Sequence, residues 1–431
     1  MYIHSQENFG AAILDADKAL ALDPSYAKAY YRKGSAYAAM NKWKLAKKCF
    51  QAVRKLEPKS KKNVKKLKFC MQEIKRRAFA KALETAAPKP PSERMDFDQK
   101  IPASYEGPRM TANKVTSEFV VAMMEHFKKQ KRLHLTQIGV ILKQMITLLK
   151  ATPSLIRIKQ GVGESKNKFT VCGDTHGQFY DLMNIFKLNG LPSPSNPYLF
   201  NGDYVDRGSW SVETCITLFA WKLVYPNALH LTRGNHETKN MNKMYGFEGE
   251  VVAKCGKDMM PLFEETFCWL PLAACLEDSV FICHGGLFSN DGVTLAQIEK
   301  IKRNRQPPES GLMCDILWSD PCPYPGRHPS KRGCGLSFGP DVTKEFLQTN
   351  GLKLVVRSHE VKEEGFLVEH GGLLITVFSA PNYCDQMGNK GAMLIFEDNM
   401  EKPKFVQYEA VPHPDVKPMA YAPRMGSMFN F

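Results

Sequence analysis

The pattern of apolar and polar positions changes character along the chain. Residues 1–82 carry apolar side chains at helical spacing and are rich in Ala, Lys and Leu, which predicts helix throughout. Beyond residue 155, short runs of Val, Ile, Leu and Phe alternate with segments of helical periodicity. Runs of about four or five such residues are typical of buried strands. The pattern therefore predicts an all-α segment followed by an α/β domain.

The helical segment contains a sequence repeat. Pro24 and Pro58 lie 34 residues apart, as do Ala12 and Ala46. In the second unit, the aromatic, small and proline positions follow the tetratricopeptide spacing at Tyr30, Gly34, Tyr37, Ala46, Phe50 and Pro58. We interpret the segment as antiparallel helices packed through small residues, with an unrelated helical hairpin as the alternative.

The register of this repeat predicts an incomplete module. Met1 falls near position nine of its unit, so we expect a first unit shortened at its N terminus, one complete unit and a trailing basic helix from about Lys61 to Thr85. About three stacked repeats are normally needed to bury a continuous core. We therefore expect a marginal module.

Proline distribution and periodicity suggest the domain boundaries. Residues 86–110 carry five prolines and little periodicity, which indicates an extended linker. Apolar residues at helical spacing between Thr116 and Leu149 predict two helices that lead into the second domain. We expect a partial repeat segment over 1–85, a linker over 86–114, an α/β domain over 115–422 and an irregular C-terminal tail over 423–431.

The net charge of +15 is concentrated in one part of the chain. Residues 54–81 contain twelve Lys or Arg and two Glu. This surplus fits an acidic partner, nucleic acid or a nuclear import signal around Lys59-Ser-Lys-Lys62 and Lys75-Arg-Arg77, but the simpler interpretation is the solvated face of a long helix. Nucleic acid is not expected as a partner.

Cysteine usage and hydropathy limit the class of protein. The twelve cysteines are scattered and form no CxxC pair, which favours free thiols in a reducing compartment over a disulfide framework. No run of 18 apolar residues occurs, so we expect no membrane span. We expect a cytoplasmic protein, with the nucleus as a further candidate location.

Five strand-like runs are each followed by Asp, Asn, His or Arg, and four of these motifs also contain glycine. These motifs are Gly173-Asp-Thr-His-Gly177, Gly202-Asp-Tyr-Val-Asp-Arg-Gly208, Arg233-Gly-Asn-His-Glu237, His284-Gly-Gly286 and Arg357-Ser-His-Glu360. Polar residues just past buried strands lie at the carboxyl edge of a sheet, where α/β folds build their sites. One such motif alone carries little weight, but five in one chain predict a common site.

The residue types in these motifs predict a centre for two divalent cations. Asp174 and His176 are two residues apart, so their side chains point the same way on an extended strand end. Asp203, from the next strand, can bridge two ions with its two oxygens. Three further strand ends supply candidate ligands for the second ion, namely Asn235, His284 and His359. Oxygen and imidazole ligands suit such a pair, and the absence of Cys argues against a structural zinc.

Neighbouring residues are candidates for proton transfer and phosphate binding. His236 follows Asn235 directly and should face the opposite way, toward substrate, as a general acid oriented by Asp206. Arg207 and Arg332 are candidate phosphate clamps, because guanidinium binds phosphate oxygens bidentately. Tyr383 is a candidate third hydrogen-bond donor.

Three residues next to these motifs have open roles. Glu237 and Glu360 follow candidate ligands and either act on the site or pair with groups behind it. Cys384 is either a reactive thiol at the rim or a packing thiol.

Together, the motifs between about Val115 and Ala422 resemble those of the phosphoprotein phosphatase family of serine/threonine phosphatases. The preceding tetratricopeptide segment resembles the type-5 branch of this family. Three more stretches strengthen the narrower match: Gly246-Phe-Glu-Gly-Glu250, Asn304-Arg-Gln-Pro-Pro308 and Ser379-Ala-Pro-Asn-Tyr-Cys-Asp-Gln-Met-Gly-Asn389. The resemblance implies a calcineurin-like metallophosphoesterase β-sandwich flanked by helices.

The resemblance also implies a reaction. It gives the six candidate ligands above the metal-binding role, with two ions per chain, Mn²⁺ first and Fe, Zn or Mg as alternatives. It makes His236, supported by Asp206, the acid. It assigns the substrate phosphate to Arg207, Asn235, His236, Arg332 and Tyr383. The implied chemistry is hydrolysis of phosphoserine and phosphothreonine in proteins by direct attack of a hydroxide bound to the two metals, without a phosphoenzyme.

In the type-5 branch, the repeat domain covers the active-site channel and binds the acidic C terminus of the chaperone Hsp90. Lys28 and Arg32 match half of the carboxylate clamp that this binding uses. The other half falls in repeats outside this sequence, so we expect weakened chaperone docking and incomplete autoinhibition.

Two other functions remain open. One is a phosphodiesterase or nucleotidase on the same metal scaffold, which a comparison of phosphopeptides with cyclic nucleotides would separate. The other is a non-catalytic adaptor that uses its repeats to hold partners, which a metal assay would separate.

Overall fold

The computed structural model describes residues 9–40, 42–83, 89–97, 100–159, 168–397 and 402–423. Within these residues the chain forms two compact units. The helical unit comprises the residues up to Lys89 and the segment His328–Ser337, and the larger unit comprises Pro90–Arg327 and Phe338–Pro423. Among the described residues, none of the helices combines the length and hydropathy that crossing a bilayer requires.

The helical unit follows the predicted repeat. Its helices are α1 (Phe9–Leu22), α2 (Ala27–Ala39), α3 (Trp43–Leu56) and α4 (Lys61–Leu83). Ala46 and Phe50 of α3 are fully buried against Leu67 of α4, and the ring of Tyr31 packs edge-on against Phe50 at 5.8 Å between centroids. Two positions of the tetratricopeptide spacing, Ala46 and Phe50, therefore lie in the core of this unit, as the sequence predicts.

The segment His328–Ser337 is held in the helical unit by hydrogen bonds to its backbone carbonyls. The N–H of Ala11 donates to the carbonyl of Lys331 at 3.0 Å, and the Lys42 ammonium donates to the carbonyl of Gly333 at 2.8 Å. The sequence predicts a loop-rich stretch over residues 304–334 but not these contacts, because they join residues about 300 positions apart.

The larger unit begins earlier than the expected boundary at residue 115. A short helix, α5 (Pro91–Arg94), is fixed by Ser92, whose N–H and hydroxyl donate to the two carboxylate oxygens of Glu265 at 2.8 and 2.7 Å. Residues 90–97 thus belong to this unit rather than to an extended linker. Residues 86–88, 98–99 and 424–431, which fall in the expected linker and tail, lie outside the described residues.

The remaining helices agree with the periodicity in most places. They are α6 (Ser117–Lys128), α7 (Leu135–Lys150), α8 (Phe179–Asn189), α9 (Ser211–Val224), α10 (Lys239–Tyr245), α11 (Phe247–Cys255), α12 (Met260–Trp269), α13 (Leu295–Glu299), α14 (Leu312–Trp318) and α15 (Pro340–Asn350). The sequence pattern predicts helix from Val251 to Leu270, but the structure interrupts this stretch at Gly256. The stretch expected to be loop-rich, 304–334, contains α14.

Two sheets form the centre of the larger unit. The strands of the described residues, in both units, are β1 (Leu155–Ile158), β2 (Phe169–Cys172), β3 (Tyr198–Phe200), β4 (Leu229–Leu231), β5 (Ala273–Leu276), β6 (Val280–Cys283), β7 (Asp320–Pro321), β8 (Arg327–Pro329), β9 (Leu336–Phe338), β10 (Leu354–Arg357), β11 (Phe366–Glu369), β12 (Leu374–Val377), β13 (Gly391–Phe396) and β14 (Lys404–Tyr408). One sheet has the order β14-β13-β2-β3-β4, and the other has the order β1-β5-β6-β10-β12-β11. Strands β2, β3 and β4 are parallel and joined by α8 and α9, a βαβαβ arrangement that agrees with the predicted alternation of strands and helices.

The core lies between the sheets and under the helices. Alternate residues of both sheets, among them Val171, Leu199, Ile282 and Val356, form one buried cluster. The opposite face of the first sheet packs with the helices α6 to α9, α11 and α12 in a second cluster. The architecture is therefore a β-sandwich flanked by helices, and the predicted fold class is confirmed. It brings the carboxyl ends of several strands to one edge.

Candidate metal centre and active site

Five strand ends bring the predicted ligands together. Asp174 and His176 follow β2, Asp203 follows β3 and Asn235 follows β4. From the second sheet, His284 follows β6 and His359 follows β10. All six are buried in the larger unit, with exposed fractions between 0 and 7%.

The donor atoms of these residues converge around Asp203. Its Oδ2 atom lies 3.5 Å from Nε2 of His176 and 3.3 Å from Nε2 of His284. Nε2 of His176 is also 3.6 Å from Oδ2 of Asp174, and Nε2 of His284 is 2.9 Å from Oδ1 of Asn235. Two groups of donor atoms result, namely His176, Asp203 and His236, and Asp203, His284 and His359, each within 4.8 Å and sharing Asp203.

The hydrogen bonds of two imidazoles fit a cation at this place. Nδ1 of His176 lies 3.0 Å from the carbonyl of Val205, and Nδ1 of His284 lies 2.8 Å from the carbonyl of Asn201. A carbonyl only accepts, so each Nδ1 carries the hydrogen and each Nε2 directs its lone pair toward the oxygens of the cluster. A ring N–H bound to a backbone carbonyl is the usual support of a metal-binding histidine.

Electrostatics also favour positive charge at the cluster. Burial raises the pKa of Asp174 to about 7 and lowers the pKa of His176 to about 3. Burial alone lowers the pKa of His284, but the Asp203 carboxylate raises it above its ordinary value. Burial alone raises the pKa of Asp203, but the imidazoles of His284 and His236 lower it below its ordinary value. Two carboxylates in this buried place attract a cation, and the mixed oxygen and nitrogen donors match divalent metals.

The backbone around the cluster adopts conformations that need support. His176, Asp203 and His359 have φ values of +41°, +52° and +71°, in the left-handed region. A Cβ on Gly234 would fall 2.1 Å from Oδ1 of Asp203, so only glycine allows the loops after β3 and β4 to approach this closely. Such strain concentrates at functional sites.

Glu237 organises the Asp203 loop from behind. One carboxylate oxygen accepts from the N–H groups of Asp203 and Gly234, both at 2.8 Å, and the other accepts from the N–H of Tyr204 at 2.8 Å. Glu360 instead pairs with Arg357 at 3.1 Å and Lys362 at 3.3 Å. Glu237 thus supports the loop of Asp203, one of the candidate ligands, whereas Glu360 pairs with two basic residues outside the set of candidate site residues.

His236 and Asp206 form a buried pair beside the cluster. Nδ1 of His236 lies 2.8 Å from Oδ2 of Asp206. The N–H of Phe247 donates to Oδ1 of Asp206 at 2.9 Å, and the Asn242 amide donates to Oδ2 at 3.2 Å and to the carbonyl of His236 at 2.7 Å. The sequence analysis did not identify Asn242. Its position on a helix, five residues after Glu237, is the one signal that its side chain points toward the site.

Two of the three predicted phosphate contacts border the cluster. The Arg207 guanidinium lies 3.8 Å from the centroid of the Tyr245 ring and is almost fully buried. The Tyr383 ring lies 5.0 Å from the ring of His176. The Nδ2 atom of Asn235 is buried and, within the described part of the chain, has no hydrogen-bond acceptor. It is therefore a donor available to a bound anion.

The other predicted residues belong to the helical unit. Arg332 lies in the segment His328–Ser337, is mostly buried, and donates its N–H to the Ser330 hydroxyl at 3.0 Å. Its phosphate role stays a prediction. Lys28 and Arg32 are exposed and lie one turn apart on α2. Cys384 is half-buried, and burial raises the pKa of its thiol, which favours the packing role.

Family models match three parts of the chain. Residues 167–363 match the calcineurin-like phosphoesterase model, residues 27–60 match a tetratricopeptide repeat, and residues 67–157 match the PPP5 TPR repeat region. The calcineurin-like match covers the strand ends that carry the six candidate ligands. Together with the two donor groups, it supports a site for two metal ions.

Whole-chain comparisons extend this result. The chain is 51% identical to serine/threonine-protein phosphatase 5 of Homo sapiens over 425 residues, which cover 96% of this chain and 83% of the human protein. It is 52% identical to serine/threonine-protein phosphatase T of Trypanosoma brucei brucei over 418 residues, covering 97% and 88% of the two chains.

A solved structure gives the same relationship. A protein serine/threonine phosphatase from Saccharomyces cerevisiae, described as similar to human phosphatase PP5, superposes with a TM-score of 0.68 at 41% identity. The superposition covers 71% of this chain and all of the yeast chain. By its repeats, its metallophosphoesterase fold and these relatives, the chain belongs to the PP5-type serine/threonine phosphatases, a family of metal-dependent phosphoric monoester hydrolases.

Proposed function

We propose that the protein removes phosphate from phosphoserine and phosphothreonine in proteins, with His236 as the general acid. The observation that carries this proposal is the meeting of six donor side chains, with Asp203 at their centre, and the buried His236–Asp206 pair beside them. Two divalent ions held by Asp174, His176, Asp203, Asn235, His284 and His359 would supply hydroxide at neutral pH and neutralise charge on the phosphate. Mn²⁺ is the proposed metal, with Fe, Zn and Mg as alternatives.

In this proposal the protein groups divide the work on the substrate. Arg207 binds phosphate oxygens through its guanidinium, Asn235 donates its free Nδ2–H, and Arg332 and Tyr383 add further donors. His236 gives its proton to the serine or threonine oxygen as the bond to phosphorus breaks. Asp206 orients the imidazole and favours its protonated form.

A leaving-group comparison tests the role of His236. A serine alkoxide needs a proton, whereas p-nitrophenolate leaves readily without one. We expect His236→Ala to lower kcat on a phosphoserine peptide by about 10²–10⁴-fold and to affect p-nitrophenyl phosphate much less. His126→Gln, far from the strand ends in sequence, is the control. An equal loss on both substrates, at unchanged metal content, would remove His236 from proton transfer.

The same assay separates the competing reactions. We expect phosphoserine and phosphothreonine peptides to be hydrolysed in preference to cyclic nucleotides and nucleoside monophosphates. Hydrolysis of cyclic nucleotides at a comparable rate would favour the phosphodiesterase alternative, and a protein without bound metal or activity would favour the adaptor alternative.

The helical unit carries a second proposal, about a partner. Lys28 and Arg32 expose two positive charges on one face of α2, and repeats of this type mediate protein–protein contacts. We propose that they bind the acidic C terminus of an Hsp90-type chaperone, more weakly than a complete clamp would. Titration of an acidic peptide with a free C-terminal carboxylate should show weak binding that Lys28→Ala with Arg32→Ala abolishes. Unchanged binding by the double variant would contradict the proposal.

A further inference from the structure

Residues 411–422, here called the C-terminal strap, form no helix or strand but make ordered hydrogen bonds within the larger unit. The N–H of Val411 donates to Oδ1 of Asp181 at 2.9 Å. The N–H of Met419 donates to the carbonyl of Arg207 at 2.7 Å. The Ser209 hydroxyl donates to the carbonyl of Lys417 at 2.7 Å and accepts from the N–H of Ala420 at 3.3 Å.

The strap contacts the loops that carry the active-site residues. His413 lies 3.2 Å from Asp385, two residues beyond Tyr383, and its ring packs edge-on against Trp210. Tyr421 lies over the start of α11, where a Cβ on Gly249 would fall 2.1 Å from its carbonyl oxygen. The strap thus touches the loop after β3, the turn at Tyr383 and the helix whose first N–H, that of Phe247, binds Asp206.

The loop after β3 needs such support. Asp206 and Arg207 both have φ values of +70°, an unfavourable conformation for residues other than glycine. On one side, the N–H of Arg207 donates to the carbonyl of Tyr245 at 3.1 Å, and the guanidinium stacks on the Tyr245 ring. On the other side, the strap donates a hydrogen bond to the carbonyl of Arg207. The strap also accepts from the buried Ser209 hydroxyl and donates to it.

We infer that the C-terminal strap is a positioning element for phosphate binding, and that Ser209 is the positioning residue through which it fixes Arg207. The inference rests on the proposed phosphate role of Arg207. In this arrangement the strap holds the strained peptide of Arg207 against Tyr245, so that the guanidinium is preorganised before substrate arrives. Preorganisation of this kind strengthens binding without any contact between the strap and the substrate.

Phosphate binding to the metal-loaded full-length protein tests the inference. The probe is inorganic phosphate, followed by the phosphate-dependent rise of the unfolding temperature and by competitive inhibition. We expect Ser209→Ala to weaken phosphate binding by about 3- to 10-fold, which is the effect of losing one or two hydrogen bonds. Ser209→Thr, which keeps the hydroxyl, should restore most of the affinity.

A matched control variant distinguishes an effect on phosphate binding from a general loss of stability. Ser154 is also buried, donates to the carbonyl of Ile301 at 2.7 Å and accepts from Arg303 at 3.1 Å. Ser154→Ala should lower the unfolding temperature to a similar degree but leave phosphate affinity unchanged. If both variants weaken phosphate binding equally, the strap has only a structural role and the inference is wrong.

A double-mutant cycle with Arg207→Ala gives the decisive comparison. If the strap acts through Arg207, Ser209→Ala should change phosphate affinity less than about 2-fold in the Arg207→Ala background. If Ser209→Ala weakens phosphate binding by the same factor in both backgrounds, the inference is overturned. If Arg207→Ala itself leaves phosphate binding intact, the proposed phosphate role of Arg207 fails as well, which distinguishes the two failures.

Truncation provides a second route if Ser209→Ala does not fold. A chain ending at Pro423 keeps the strap and serves as the reference, and a chain ending at Val416 removes the contacts to Arg207 and Ser209. The shorter chain should bind phosphate more weakly at equal metal content. Equal phosphate affinity of the two chains would contradict the inference.

Discussion

Nδ1 of His236 lies 2.8 Å from Oδ2 of Asp206, and the two residues follow the neighbouring parallel strands β4 and β3. The carboxylate is itself fixed by the N–H of Phe247 and by the Asn242 amide. An imidazole held in this way keeps its Nδ1–H on the carboxylate and leaves Nε2 for the substrate side. The geometry therefore supports two different roles, proton donation by His236 and orientation of its imidazole by Asp206.

Asp206→Asn tests this relationship. Asparagine can still accept from Phe247, but its amide offers a donor to Nδ1 and favours the neutral imidazole, a much weaker acid. We expect kcat on phosphoserine peptides to fall by about 10²-fold, with a smaller loss on p-nitrophenyl phosphate. Asp258→Asn, at an exposed position, is the control. Equal activity of the two variants would show that Asp206 does not act through His236.

Asp203→Asn tests the shared ligand. Because Oδ2 of Asp203 lies within 3.5 Å of both His176 and His284, one substitution affects both donor groups. We expect the metal content after dialysis, measured by mass spectrometry, to fall from about two ions per chain to nearly none. His359→Ala, which belongs to one donor group only, should retain about one ion. Retention of two ions by Asp203→Asn would contradict the bridging role.

Lys254→Met tests a buried charge network behind the site. The ammonium lies 2.6 Å from Glu213 and 2.9 Å from Glu250, and Glu250 accepts from the N–H groups of Ser211 and Val212 at the start of α9. Removing the cation leaves two buried carboxylates without their counter-charge, so we expect a loss of about 3–5 kcal/mol in the free energy of unfolding. Denaturant unfolding of this variant should be compared with that of Lys257→Met, at an exposed position. Equal stability of the two variants would show that the network contributes little.

Asp181→Asn tests the pH dependence of stability. Burial raises the pKa of Asp181 to about 6, although the N–H of Val411 and the Gln178 amide lower it. In the unfolded chain the carboxyl ionises near pH 3.9, so between about pH 4 and 6 only the unfolded state loses its proton, and stability falls as the pH rises. Above pH 6 the full penalty, about 3 kcal/mol, is present.

The variant carries no such titration. As the pH rises from 4 to 7, the unfolding temperature of Asp181→Asn should therefore increase relative to that of the unmodified protein. Asp258→Asn should show no comparable shift. A difference that stays constant with pH, or that moves the other way, would contradict the assignment.

Some of the site could be predicted because its signals are local. Each candidate ligand stands within four residues of a strand, so strand and ligand are visible in one short window. Because Asn235 and His236 are adjacent, the sequence predicts that their side chains point in opposite directions and therefore have different roles. Glu237 and Asn242 were harder to predict, because their importance depends on buried backbone N–H and carbonyl groups that only the folded loops bring within reach.

The amino-acid sequence by itself determined the helical repeat, the strands and the set of candidate metal-binding side chains, because periodicity and strand ends are properties of neighbouring residues. The tertiary structure decided which loops meet. The strap is one example: an irregular, proline-rich segment bonds to Arg207 and Ser209, about 210 residues earlier. Such contacts depend on how the sheets and helices pack, and no local pattern in the strap or in the loop after β3 encodes the distance between them.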